Sequence, residues 1–168
     1  MKLESNEKPE RGVLATLTFS HLAQHFYAGL SVLYTDIMFD LKLNYIQLGV
    51  MTGTTRIISG FLQIVWSILS RYFSRRFLLG FGNILTSIGC LIMGRSQRFI
   101  EITSGNVVSG SGQAAPHPIG TSIIASKFQK SKIAGALSIF YGLGYIGNII
   151  SPIILSTISL AIGWRQAI

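Results

Sequence analysis

Inside an otherwise apolar stretch, His21, Gln24 and His25 recur at three- and four-residue steps. That spacing places them on one face of a helix, and Ser31 and Thr35 continue the same face. Histidine titrates near neutral pH, so proton handling is the chemistry that this pair suggests first. Two histidines at i,i+4 are also the spacing of a metal pair, but no third ligand stands beside them and no metal site is expected. Arg56 lies 11 positions into a second apolar run that begins at Tyr45. That is roughly 16 Å along a helix, too deep for its guanidinium to snorkel to water. An arginine at the centre of a membrane helix costs about 2.5–3.5 kcal/mol on insertion scales, so Arg56 calls for a partner or a wet cavity. Gln113, His117 and Asn148 stand in later apolar runs. No nucleophile stands beside a base and an orienting group. Gly110-x-Gly112 lacks the third glycine, the strand and the acid of a dinucleotide loop. Neither an enzyme nor a cofactor is expected.

The elements that position these groups read as membrane helices. The chain has 168 residues, 49% hydrophobic and 12% charged, against about 25% charged in a soluble domain. The net charge of +8 comes from short clusters between apolar runs and forms no basic face with stacking aromatics, so nucleic acid is not the expected partner. Cys90 is the single cysteine and lies in an apolar run, which leaves neither an internal disulfide nor a zinc site. Residues 1–12 read as a polar tail of mixed charge. Helices are expected at about 13–41, 45–69, 77–93, 100–126 and 133–162, each long enough to span the hydrocarbon. Residues 163–168 would begin a loop to a further helix. Gly49 and Gly53 form a small-xxx-small pair that allows close helix approach. The fourth run, rich in Gly, Ser and Pro, reads as a kinked, tightly packed helix with His117 held at a bend between Pro116 and Pro118. The expected fold is an all-α integral membrane bundle in contact with the lipid bilayer.

Charge orients that bundle. With the tail inside, the cytoplasmic set is Lys2, Lys8, Arg11, Arg71, Arg75, Arg76, Lys127, Lys130 and Lys132, against Lys42, Arg95, Arg98 and Arg165 outside. Nine against four predicts a cytoplasmic N-terminus in a multi-pass protein of the cell membrane.

The loop SILSRYFSRR resembles the signature between helices two and three of the major facilitator superfamily. Arg75 and Arg76 match its closing basic pair. Ser67, Arg71, Tyr72 and Ser74 stand where that signature carries Gly, Asp, Arg and Gly. NVVSGSGQA is similar to the family's fourth-helix motif through Gly110 and Gly112, with Asn106 in place of its Arg. Gly147 to Pro152 is similar to the fifth-helix Gly-x-x-x-Gly-Pro motif, with Ser151 in place of Gly. Gly163-Trp164-Arg165 looks like the approach to helix six. His117-Pro118 resembles a branch that includes the fosmidomycin-resistance exporters.

The resemblance implies about five helices of the N-terminal six-helix bundle of a secondary transporter, with a small solute bound between two halves. At mid-depth, one polar layer is expected to gather His25, Tyr27, Arg56, Gln113, His117 and Asn148, with His21 and Gln24 beside it. A chain holding one bundle is expected to need a missing C-terminal half or to self-associate. The alternative is a non-transporting membrane fragment, either a decayed remnant or a subunit of a split transporter.

Overall fold

A computed structural model describes residues 4–168, and Lys2 of the expected tail lies outside them. The order is α1 (Glu4–Ala28), a 3-10 segment (Gly29–Leu33), α2 (Tyr34–Leu41), α3 (Tyr45–Leu69), α4 (Arg75–Arg95), α5 (Phe99–Gln113), α6 (Pro116–Lys127), α7 (Ile133–Ile162) and α8 (Trp164–Ala167). No strand occurs among the described residues. Three helices, α3, α4 and α7, are each long and apolar enough to cross a membrane.

Local chemistry sets several boundaries. Asn44 caps α3 in a reciprocal box: Gln47 N donates to Asn44 Oδ1 at 2.8 Å, and Asn44 N to Gln47 Oε1 at 2.9 Å. Ser74 caps α4 by accepting from Phe77 N. The first helix starts at Glu4, inside the stretch read as tail. Its run to Leu41 is interrupted by the 3-10 segment where it crosses α7. There Gly29 packs so closely that a Cβ would lie 1.9 Å from Ser151 Oγ.

The fourth expected helix is two helices. Ala114 N bonds Gly110 O and Ala115 N bonds Gly112 O, and Pro116 then opens α6. Proline offers no N–H to continue the ladder, so the helical hydrogen bonding lapses at Ala114–Ala115 and resumes with Pro116 in the first turn, while both alanines keep right-handed helical dihedrals and the run is kinked. His117 therefore sits in the first turn of α6, next to the kink. Pro152 lies inside α7.

The closest helix contacts use glycines. A Cβ on Gly112 would lie 2.2 Å from Gly82 O, and one on Gly89 2.3 Å from Ser109 N, which brings α4 and α5 together. On Gly110 it would meet Thr55 and Ser59 of α3. Gly144 and Gly147 do the same between α7 and α1. Gly49 and Gly53, expected to be a contact pair, have nothing within 4 Å. They face outward on α3, along with the exposed Ile57, Phe61 and Ile64. Buried residues among those described cluster around Leu33, Met51 and Trp164, around Trp66 and Ile119, and around Leu17 and Phe140.

The two ends are tied differently. At the basic end Arg75 donates to Ser122 O at 3.2 Å and Ser126 Oγ at 2.8 Å, joining the start of α4 to α6. Arg71 and Arg76 stay exposed. At the other end Arg165 pairs with Asp40 and donates to Ser96 O at 2.8 Å. Trp164 Nε1 also donates to Asp40, and the Arg165 guanidinium stacks 4.2 Å from the Trp164 ring centre. Within residues 163–168, expected to open a loop, Trp164–Ala167 form a short helix clamped against α2.

Candidate functional site

The polar face of α1 turns into the bundle. His21 is 1% exposed and Gln24 9%, so both are buried by this chain itself and do not wait for a facing half. Their partners are specific. His21 Nδ1 lies 3.0 Å from Phe140 O on α7. Gln24 Nε2 donates to Asn83 Oδ1 of α4 at 2.7 Å. His25 Nδ1 lies 2.9 Å from Asn148 Oδ1 on α7, and its Nε2 is 3.0 Å from His21 Nε2. The approach of His21 depends on Gly144, where a Cβ would fall 2.1 Å from His21 Nδ1. Gly147 likewise admits Leu22 O and His25 Cβ at 2.6 and 2.8 Å.

An aromatic wall closes around the two rings. Phe140 stacks on His21 with centroids 4.3 Å apart. His117 meets His21 edge-on at 5.1 Å and lies 6.3 Å from His25. Tyr145 lies 4.7 Å from His25, and Tyr141 stacks on His117 at 6.0 Å. Tyr141 OH also shares a hydrogen bond of 3.0 Å with Thr121.

The expected layer is thus partly assembled. His21, His25, His117 and Asn148 form one cluster. Tyr27 sits to the side and donates to Asn106 O at 3.4 Å. Asn106, at the position of the family's arginine, is buried on α5. Gln113 Nε2 is buried with no hydrogen-bond partner among the described residues. Arg56 does not join. It is exposed on α3 and makes no hydrogen bond or ion pair among the described residues. Asp36, the acid nearest to it in expected depth, instead accepts from Ser159 at 2.8 Å. Helical phase explains the miss: Thr55, one position earlier, points at Gly110 of α5, which turns Arg56 outward.

Sequence reading also passed over Tyr141 and Tyr145. Their spacing with Asn148 (i, i+4, i+7) marks one face of α7 and was the available signal.

A cavity of 1180 Å³ opens between α1, α4 and α6, lined by Thr16, Ser20, Gln24, Arg75, Asn83 and Lys127 among others. A second, of 700 Å³, continues along α4 past Cys90 and Arg95 to Arg165 and Ile168. Thr86 and Ser87 border both.

Residues 14–168 match the Major Facilitator Superfamily, and the chain belongs to that family. It is an all-helical membrane protein of the facilitator type. Among curated relatives, it is 25% identical over 138 residues to the probable L-galactonate transporter of Escherichia coli (strain K12), covering 82% of this chain and 30% of that protein. It is 27% identical over 159 residues to the MFS antiporter QDR3 of Candida albicans, covering 91% and 22%. It is 24% identical over 148 residues to the fosmidomycin resistance protein of Escherichia coli (strain K12), covering 88% and 36%. A crystal structure of a bacterial homologue of the human lysosomal transporter Spinster, inward-facing and unoccupied, superposes with a TM-score of 0.79 at 19% identity. That match covers 94% of this chain and 36% of the other. The chain therefore spans about a third or less of the length of these relatives.

Proposed function

We propose that this chain is the N-terminal half of a secondary transporter that moves a small solute across the cell membrane by alternating access. The cluster of His21, His25, His117 and Asn148 carries the reading. His21 is buried and His25, His117 and Asn148 are half-buried; polar groups drawn into a membrane bundle are costly, and in secondary transporters they mark substrate or ion sites. The basic clusters at Arg71–Arg76 and Lys127–Lys132 support a cytoplasmic N-terminus. Transport needs a facing half, supplied by a second helical chain, a longer product or a second copy of this one. The outward face of α3 around Arg56 and the open groove along α4 offer surfaces for further helices.

The test is reconstitution of residues 1–168 in liposomes, with solute uptake screened under a pH gradient, alone and with a co-expressed second helical chain. Uptake that appears only with the second chain is the expected result. Saturable uptake by the monomer would overturn the requirement for a facing half, and no uptake in either arm would count against transport.

A second reading, a non-transporting remnant or subunit, draws on Arg71 and Asn106, which stand where the family motif carries an acid and an arginine.

A further inference from the structure

The protons on the α1 histidine pair can be counted. A backbone carbonyl only accepts, so the His21 Nδ1 that meets Phe140 O at 3.0 Å carries a hydrogen. In its neutral form His21 then presents a lone pair at Nε2, facing His25 Nε2 at 3.0 Å. Two arrangements satisfy every atom. In the first, the Asn148 amide nitrogen faces His25 and donates to Nδ1, His25 Nε2–H donates to His21 Nε2, and both rings are neutral. In the second, Asn148 Oδ1 faces His25 Nδ1, as the 2.9 Å contact has it. His25 Nδ1 then also carries a hydrogen, and two Nε2 lone pairs would oppose each other unless one further proton lies between them. A second extra proton has no place, because two N–H groups would then point at each other across 3.0 Å.

We propose that His21 and His25, with Asn148 as the turning group, form a site that takes up one proton and serves as the coupling site of the transporter. Its role in coupling rests on the transport reading above, whereas the site itself does not. The proton comes from solvent hydronium: one O–H bond breaks as the Nε2 lone pair forms one N–H bond, water is released, and no oxidation state changes. The groups facing the pair are His117 from α6 and Tyr141 and Tyr145 from α7, with ring centroids 5.1, 5.6 and 6.3 Å from His21. No carboxylate joins them among the described residues: Asp36 is held by Ser159 and Asp40 by Arg165. A divalent metal would bring two charges into a pocket without an acid, whereas a proton brings one that the two rings share. Asn148 stands on α7 and the rings on α1, so proton occupancy reverses a hydrogen bond across the helix contact that Gly144 and Gly147 hold close.

The experiment is nitrogen-15 NMR of histidine- and asparagine-labelled residues 1–168 in lipid nanodiscs, from pH 4 to 8. The His21 and His25 signals are expected to move together at one midpoint, with one proton taken up by the pair. His21 keeps its Nδ1–H throughout, and the Asn148 amide signals shift at the same midpoint. Asn148→Leu, checked for folding by circular dichroism, should displace that midpoint by about one pH unit or more, since a hydrogen bond to a charged group is lost. Arg71→Gln, in the exposed α3–α4 turn, should leave the joint transition in place. Separate midpoints for the two rings, uptake of two protons, no titration, or stoichiometric capture of added Zn²⁺ between the two Nε2 atoms would each overturn the proposal. The readout involves no transport, so its failure leaves the transporter reading standing, and a failed liposome assay with an intact joint transition would strike that reading alone.

Discussion

Gly144 sits directly beneath the His21 ring, so close that a Cβ there would lie 2.1 Å from His21 Nδ1. The missing side chain is what lets the ring reach the Phe140 carbonyl. Gly144→Ala must push His21 out of that hydrogen bond or separate α1 from α7. Overpacking of this kind typically costs about 1–3 kcal/mol. Gly142→Ala, two positions away with nothing within 4 Å, should be neutral or gain up to about 1 kcal/mol in helix propensity. Equilibrium unfolding of the two variants in mixed micelles makes the comparison.

Arg56 should separate stability from transport. It is exposed and has no partner among the described residues. Arg56→Gln is expected to leave the melting midpoint of residues 1–168 unchanged. In a reconstituted two-chain transporter the same change should lower uptake or partner affinity at least several-fold. A drop in melting midpoint would show that the guanidinium is bonded within this chain.

Asp40 holds the end opposite the basic loops. It pairs with Arg165 and accepts from Trp164 Nε1. Asp40→Asn should free the Trp164–Ala167 turn, seen as faster amide exchange at Trp164 to Ala167 and a shifted tryptophan emission. Exchange in the Tyr45–Leu69 helix should stay as it was.

Topology can be read chemically. With Cys90→Ser as background, Tyr72→Cys at the exposed α3–α4 turn should react with an impermeant maleimide only in inside-out vesicles. A reporter fused after Ile168 should be active only when exported. The opposite labelling pattern would reverse the orientation drawn from the charge count.

Much of the architecture was legible, for identifiable reasons. Tyr45–Leu69 and Ile133–Ile162 are continuous apolar runs with clear flanks, and the helices have those bounds. The joining of His25 to Asn148 was foreshadowed by their shared depth. Spacing alone tells which residues share a face but not which face meets a neighbour. Hence Gly49 and Gly53 looked like a contact pair and point outward, while Gly112, Gly144 and Gly147 make the close approaches. The same limit misplaced Arg56, since helical depth was readable and its direction was not. His21 and Gln24 were expected beside the polar layer, and the sequence did not show that α7 and α4 cover them. A stretch with two prolines announced a bend at His117; the hydrogen-bond ladder lapses just before it, at Ala114–Ala115, where the backbone keeps helical dihedrals and the exact position depends on which bonds close the last turn of α5.

That kink gives the pair α5 and α6 the mechanics of a lever. The pivot lies two residues before His117, beside the histidine pair, while Lys127 ends the arm 12 residues further along. At 1.5 Å per residue the arm is roughly 18 Å, so a tilt of about 10° at the pivot would swing its basic tip by roughly 3 Å. His117, close to the pivot, would barely shift. A small change in backbone angle would thus be magnified at the end where Arg75 grips Ser122 and Ser126, with the histidine cluster left nearly in place.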